Sequence, residues 1–314
     1  MKCCFLVLHY KNFKDTINCI SSIINLYPNE QIVVVDNGSN DNTGETLQEK
    51  YICNKHIHFI ILKVNYGFSK GNNIGYKYIK ENISFDFLIV CNNDIEFKSS
   101  NMIKRIEDLF RETNFGVLGP DIYLEKFKEH QNPFGQSVCD VEEITKEIYD
   151  YEKEYVRLKK YKYFFKMIYF FENIINRTFF STSINKMNYL LKRKALKKQH
   201  KDMQVHKQQK NVRLHGACLI FSKLLFKNES MLFYPETDFY GEEDFLLYEC
   251  MKKEINVIYD PSIMVYHLNS ASTFYKTDIY NKKIWSLENL IKSREIYIEF
   301  VKNENSRQNY YIKK

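Results

Sequence analysis

Three short polar stretches follow apolar runs and carry side chains suited to ligand chemistry. The run Val33–Val35 leads into Asp36-Asn37-Gly38-Ser39-Asn40-Asp41-Asn42-Thr43. A buried strand ending in aspartate and a glycine-serine turn offers a ligand a carboxylate and backbone N–H groups. The same residues also make a good turn and helix cap. The second stretch, Asn65-Tyr66-Gly67-Phe68-Ser69-Lys70-Gly71-Asn72-Asn73-Ile74-Gly75, holds three glycines at a strand-to-helix junction. Glycines there let a backbone approach a phosphate or a sugar closely. Their spacing is not the dinucleotide fingerprint and no P-loop occurs, which disfavours nicotinamide or ATP chemistry. The third stretch, Cys91-Asn92-Asn93-Asp94-Ile95-Glu96, delivers Asn and Asp side chains from an apolar strand into water. Such oxygen ligands suit a hard divalent cation, and magnesium takes one or two carboxylates plus the phosphates of a bound nucleotide. A plain Asn-Asp turn is the competing reading.

The elements that must position these residues alternate. Strand-like runs at Cys3–Leu8, Gln31–Val35, Ile57–Leu62 and Phe87–Cys91 are separated by helical patterns. These patterns comprise Ile17, Ile20 and Ile24, then 43–51, then 70–81, with Ile103, Ile106, Leu109 and Phe110 marking a fourth helix. Short apolar strands alternating with helices predict an α/β fold around a mostly parallel, Rossmann-like sheet with right-handed crossovers. In such sheets ligands sit at the carboxyl ends of the strands, where all three stretches fall. Further strands are expected at Ala217–Phe221, Val257–Tyr259 and Met264–Tyr266, and a helix at about Lys283–Val301.

The 314 residues, 44% hydrophobic and 27% charged, are globular in composition and suffice for one large or two small domains. No apolar run nears the ~20 residues of a spanning helix. The short Cys3–Leu8 stretch is no signal-peptide core, so a cytoplasmic protein is expected. The eight cysteines include no C-x-x-C pair and read as reduced core residues. The net charge of +7 is uneven, because residues 151–210 hold 16 Lys and Arg against 4 Asp and Glu. That segment lies in a span without glycine between Gly135 and Gly216 and without proline between Pro133 and Pro235, so it should be mainly helical.

Taken together and in order, the motifs resemble the inverting family 2 glycosyltransferases of GT-A fold, and within them the bacterial rhamnosyltransferase-like branch. The marks are Leu8-His9-Tyr10-Lys11-Asn12, Val35 to Ser39, Asn65 to Gly75, Asn92-Asn93-Asp94, His215-Gly216-Ala217-Cys218, Gly241-Glu242-Glu243-Asp244, and His267 with Ser270 and Ser272. The resemblance covers 3–125 and 211–300. It implies a nucleotide diphosphate sugar donor and a divalent metal, Mg²⁺ or Mn²⁺, held by Asp94 and His267. Tyr10 would stack on the base and Asp36 would hydrogen-bond it. Asn92 stands where many members have Asp near the ribose. Asn65, Gly67, Gly71, Asn73 and Asn93 would line the donor, with Gly216 and Ala217 flooring its sugar pocket. Asp244 would be the general base and Glu243 its neighbour or an acceptor contact. One departure is Leu246, where the family commonly has another acidic residue.

The expected organisation is a GT-A domain of 1–135 and 211–300, a basic aromatic helical insertion of 136–210, and a polar tail of 301–314. Lys and Arg beside Tyr, Phe and Leu suit an interfacial helix on anionic lipid. A subunit or domain contact through the aromatic face, as in a homodimer, is the second reading. Nucleic acid is disfavoured, since no nucleic-acid module is recognised. The reading is a membrane-peripheral enzyme on the inner face of the cell membrane, building cell-surface polysaccharide on a glycan or lipid-linked glycan acceptor. The alternative is a non-catalytic nucleotide-sugar-binding or scaffold protein.

Overall fold

The computed structural model describes residues 1–125, 127–135, 140–177, 204–226, 231–268 and 279–312. Its strands are β1 (Cys3–His9), β2 (Gln31–Asp36), β3 (Ile57–Ile61), β4 (Phe87–Asn92), β5 (Ile95–Glu96), β6 (Phe115–Leu124), β7 (Glu129–His130), β8 (Gln209–Lys210), β9 (Cys218–Ser222) and β10 (Asn256–His267). Its helices are α1 (Phe13–Leu26), α2 (Thr43–Lys50), α3 (Gly67–Asn82), α4 (Met102–Thr113), α5 (Val141–Lys160), α6 (Lys162–Arg177), α7 (Lys223–Phe226), α8 (Glu242–Lys252) and α9 (Ile279–Ile312). They form two compact units, Met1–Cys139 with Val205–Tyr275, and Asp140–Gln204 with Lys276–Lys314.

The first unit is a mixed sheet in the order β3-β2-β1-β4-β9-β6-β10-β5, with β7 on β6 and β8 on β10. From β3 to β4 every pairing is parallel; β9 then runs antiparallel to both β4 and β6. The parallel half has apolar residues on both faces because helices cover both. Alternation along β1 shows this directly. Phe5 and Val7 join Cys19 and Ile20 of α1 and Ile106 of α4 in one core, while Cys4 and Leu6 join Tyr76 and Ile79 of α3 and Leu247 of α8 in the other. Among the described residues six cysteines, Cys3, Cys4 and Cys91 with them, are buried free thiols, and Cys53 is exposed.

Strand β6 was absent from the predicted elements. Its sequence FGVLGPDIYL carries two glycines and a proline, which break strand patterns in isolation. Within the sheet they have a use: a side chain at Gly119 would collide with Leu214, which packs there at 2.5 Å from the position a Cβ would take. Pro120 stands opposite Asp260, where the β6–β10 register shifts. The two runs expected at 257–259 and 264–266 are one strand, β10, crossing that irregularity.

The second unit draws on both sides of the chain. Asp140 caps α5, accepting from the Glu143 N–H at 2.7 Å, with Glu142 and Glu143 in the first turn where the helix dipole favours acids. Leu158 of α5 is buried with Tyr280, Ile284 and Leu287 of α9, flanked by Tyr151, Tyr155, Phe165 and Tyr169. Tyr155 donates to Glu288 at 2.8 Å, and Arg294 pairs with Glu147 at 2.8 Å. Residues 276–300, expected with the sheet domain, thus belong to this helical unit, and the helix runs through the expected polar tail to Ile312. Much of the basic segment, 178–203, lies outside the described residues.

Candidate functional site

Two strand registers create the site. Strand β9 runs against β4 with Cys91 opposite Cys218, so Gly216-Ala217 arrive beside Asn92, and the Ala217 carbonyl accepts from the Asn92 N–H at 2.9 Å. Strand β10 runs against β5 with His267 opposite Ile95. Asp94 and His267 are thereby neighbours in space, and the Leu268 N–H donates to the Asp94 carbonyl at 2.9 Å. His267 Nε2 lies 3.2 Å from Asp94 Oδ1, both side chains 9% exposed. The other ring nitrogen, Nδ1, meets Gln131 Oε1 at 2.6 Å.

His215 lies behind this pair, its ring 6.1 Å from that of His267. Its Nδ1 accepts from the Ala217 N–H at 3.1 Å. Burial, aided by His267, pushes its pKa down to about 4, so the ring is neutral near pH 7.

A second carboxylate group comes from α8. Tyr240 and Gly241 both take left-handed backbone, φ 69° and 81°, turning the chain so that the helix opens on Glu242, Glu243 and Asp244. Acidic residues are favoured there by the helix dipole. Glu243 Oε1 accepts from the Gly216 N–H at 3.1 Å, which ties the helix to the Gly216-Ala217 segment. Asp244 is buried, and its Oδ1 accepts from Arg213 Nη1 at 2.8 Å. Arg213 is itself held by backbone bonds with Gly135 and Phe134, both at 2.8 Å, and its guanidinium lies 5.7 Å from the Phe134 ring centre. Asn132, in the same strap, accepts from the His215 N–H at 2.6 Å. Residues 131–135 therefore touch His267, His215 and, through Arg213, Asp244.

Tyr10, half-buried, follows β1, with Lys11 Nζ 5.0 Å from its ring centre. His9, fully buried, meets Thr16 Oγ1 at 2.7 Å and Thr43 Oγ1 at 3.0 Å, and burial pushes its pKa down to about 4. Asp36 ends β2. Its Oδ1 accepts from the Ser39 N–H at 3.1 Å and hydroxyl at 2.5 Å, so the turn-and-cap reading holds for that oxygen. Burial raises its pKa, opposed by those two bonds.

Close approaches in the glycine-rich stretch are made to protein. Gly67 has φ +77°, and a Cβ there would lie 2.3 Å from the Asp238 carbonyl oxygen. The N–H groups of Tyr66, Gly67 and Phe68 donate to Asn37 Oδ1, Asn65 Oδ1 and the Asp238 carbonyl at 3.0, 2.8 and 2.8 Å. Gly71 packs on Leu8 and Asn37. Asn73 bonds the backbone of Leu232 and Phe233 through both ends of its amide. The stretch docks the 232–238 loop that leads into α8, and so places Glu243 and Asp244 indirectly. Asn93 is buried and donates to Thr16 Oγ1 at 2.8 Å, pinning α1. Ser270 and Ser272 lie outside the described residues.

Sequence reasoning missed Gln131, Asn132 and Arg213. Arg213 stands two residues before a quoted motif, but nothing local marks it as a partner of Asp244. No group of three His, Cys, Asp or Glu fit for a metal occurs among the described residues; a cation at Asp94 and His267 would draw its other ligands from elsewhere.

The family model Glycosyl transferase family 2 matches residues 4–198, more than half of the chain. The low-salt glycan biosynthesis hexosyltransferase Agl10 of Haloferax volcanii is 27% identical over 117 residues, 37% of this chain and 35% of that protein. The poly-beta-1,6-N-acetyl-D-glucosamine synthase of Staphylococcus epidermidis is 27% identical over 115 residues, 36% of this chain and 27% of that protein. The chain thus spans about a third of these curated relatives or less. The crystal structure of GalNAc-T7 with UDP, GalNAc and Mn²⁺ superposes with TM-score 0.52 at 12% identity, covering 85% of this chain and 43% of that one, a likeness of fold.

Proposed function

The chain belongs to glycosyl transferase family 2, and on that premise we propose that it moves a sugar from a nucleotide diphosphate donor to a glycan or lipid-linked glycan acceptor with inversion. The supporting observation is the meeting of Asp94, His267, the Gly216-Ala217 floor and the acidic start of α8 at one sheet edge. A hexose-type donor is favoured by the relatives' names, a hexosyltransferase and a poly-N-acetylglucosamine synthase; a deoxyhexose is the second option. Membership of the rhamnosyltransferase-like branch is the finer assignment, tested by a panel of UDP-, dTDP- and GDP-sugars.

Asp94 and His267 fit a divalent cation. Their facing atoms are 3.2 Å apart, near the ~3 Å between adjacent ligands on an octahedral ion with ~2.1 Å bonds. One carboxylate, one imidazole, diphosphate oxygens and water make a set that Mg²⁺ or Mn²⁺ accepts. When bound, the ion neutralises charge on the departing diphosphate. Tyr10 stacks on the base, Asp36 bonds it, and Asn92 faces the ribose. Asp244 takes the acceptor's hydroxyl proton as the new C–O bond forms and the bond to diphosphate breaks, with Arg213 orienting the carboxylate. Glu243, less buried, contacts the acceptor. Asp94→Ala and Asp244→Asn should each nearly abolish transfer, and Asp244→Asn should leave nucleotide binding intact. Full turnover by Asp244→Asn in a donor-release assay would overturn the base assignment.

The second unit supports peripheral attachment to the inner face of the membrane through 151–210. No described helix is long and apolar enough to cross a membrane. Helix α6 turns Phe165 and Tyr169 to α9 and α5 but exposes Tyr163 at 84%, Phe170 at 62%, Phe164 at 54% and Met167 at 51%. Lys160, Lys162 and Lys166, close by in sequence, are exposed as well. Exposed rings interspersed in sequence with exposed lysines suit an anionic lipid surface, where rings enter the interface and lysines meet headgroups.

A further inference from the structure

We propose that Gln131 is a positioning residue that fixes the tautomer of His267, so that its Nε2 lone pair faces the cation site before any ion arrives. The inference rests on the metal reading of Asp94 and His267 and adds a residue to it. His267 Nδ1 stands 2.6 Å from Gln131 Oε1. An amide oxygen only accepts, so the proton of a neutral ring must sit on Nδ1. Nε2 is then the unprotonated nitrogen, and it faces Asp94 Oδ1 at 3.2 Å. A carboxylate oxygen is also only an acceptor. Two acceptors at this separation in a largely buried place repel unless something positive lies between them. A proton on Nε2 meets that need; so does a divalent ion.

The position of Gln131 is itself fixed. Its N–H donates to the Ile122 carbonyl at 2.9 Å, and it directly follows β7, which is paired to β6. The next residue, Asn132, is locked through both ends of its amide, donating to the Pro120 carbonyl at 2.7 Å and accepting from the His215 N–H at 2.6 Å. The amide oxygen of Gln131 is thus presented from a strap anchored on both sides. A ring held in this way loses less orientational freedom on ligation, and the hydrogen bond raises its donor strength toward a metal. Removing such a partner of a metal-bound histidine lowers metal affinity by about 10- to 100-fold.

The test measures Mn²⁺ binding by the 314-residue chain with UDP present, using electron paramagnetic resonance of free Mn²⁺. The proteins are wild type, Gln131→Leu, Gln131→Glu and His267→Ala. Gln131→Leu should bind Mn²⁺ about 10- to 100-fold more weakly, with its metal-free melting temperature close to wild type. Gln131→Glu, which keeps an acceptor at the same reach, should restore binding; a purely structural role for the amide would not be rescued in this way. On wild type, ¹⁵N spectra of the histidine rings should show a proton on Nδ1 of His267 in the metal-free protein, a readout that survives even if Gln131→Leu fails to fold. Wild-type affinity in Gln131→Leu, failure of the glutamate to rescue, or a proton on Nε2 with Nδ1 bare would overturn the proposal. If wild type binds Mn²⁺ no better than His267→Ala, the metal site itself is refuted and the role of Gln131 with it.

Discussion

Replacing Arg213 by methionine isolates the interaction that holds the candidate base. Met keeps much of the arginine stem and removes the guanidinium 2.8 Å from Asp244 Oδ1. The Asp244 side chain is 2% exposed, that of Arg213 16%. Removing one member of a buried pair costs about 3–5 kcal/mol, because the remaining charge stays out of water without its counter-ion. Partial exposure of the arginine lets water reach part of the gap, placing the expected loss at the lower end, about 3 kcal/mol. Asp244→Asn removes the charge but keeps an acceptor for Nη1, so it should cost less. In a cycle of wild type, both single variants and the double variant, the coupling should be about 2 kcal/mol or more. Urea unfolding followed by circular dichroism is the assay, since the sole tryptophan, Trp285, lies in the other unit. A loss under about 1 kcal/mol for Arg213→Met, with coupling near zero, would show the pair to be energetically idle.

His9 gives a pH signature. Unfolded it titrates near 6.5 and folded near 4, so below pH 6.5 the unfolded chain gains a proton the fold refuses. Its contribution to stability is therefore lost as pH falls, by about 2 kcal/mol between pH 7 and 5. His9→Gln should flatten that slope, and an unchanged slope would exclude a neutral buried ring. Gly67→Ala should cost about 2–3 kcal/mol, because the new methyl meets the Asp238 carbonyl at positive φ; an unaltered unfolding midpoint would mean that the loop before α8 is not seated on α3. Tyr163→Ser/Phe164→Ser/Met167→Ser should abolish co-sedimentation with vesicles rich in phosphatidylserine, and wild-type binding should weaken with salt. Equal binding by the variant would exclude α6 as the lipid face.

The strands β1 to β4 were legible because each is a short apolar run bounded by turn residues, and a doubly covered sheet needs nothing more. Their order placed Asp36, Asn92 and Asp94 at one edge from sequence alone. Strand β6 was hidden, since Gly116, Gly119 and Pro120 suit it only once Leu214 and β10 pack against it. The glycine stretch announced a close approach without naming its partner. Residue type reveals a close approach, and only tertiary structure reveals that the approaching group is the Asp238 carbonyl. Gln131 and Arg213 had no local signal at all, because their partners His267 and Asp244 are remote in the chain and meet them through the β6–β7 pairing and the Gly135–Arg213 bridge.

The helical unit is assembled from two stretches separated in sequence by Val205–Tyr275 of the sheet unit. During synthesis α5 and α6 emerge early, yet Leu158 and its aromatic neighbours gain their cover of Tyr280, Ile284 and Leu287 only when α9 has left the ribosome. Until then an oily helix pair waits without its third member, the kind of intermediate that sticks to other chains or to a chaperone. Chains stopped at residue 278 should be recovered in the insoluble fraction, and supplying α9 as a separate peptide should bring part of them back into solution.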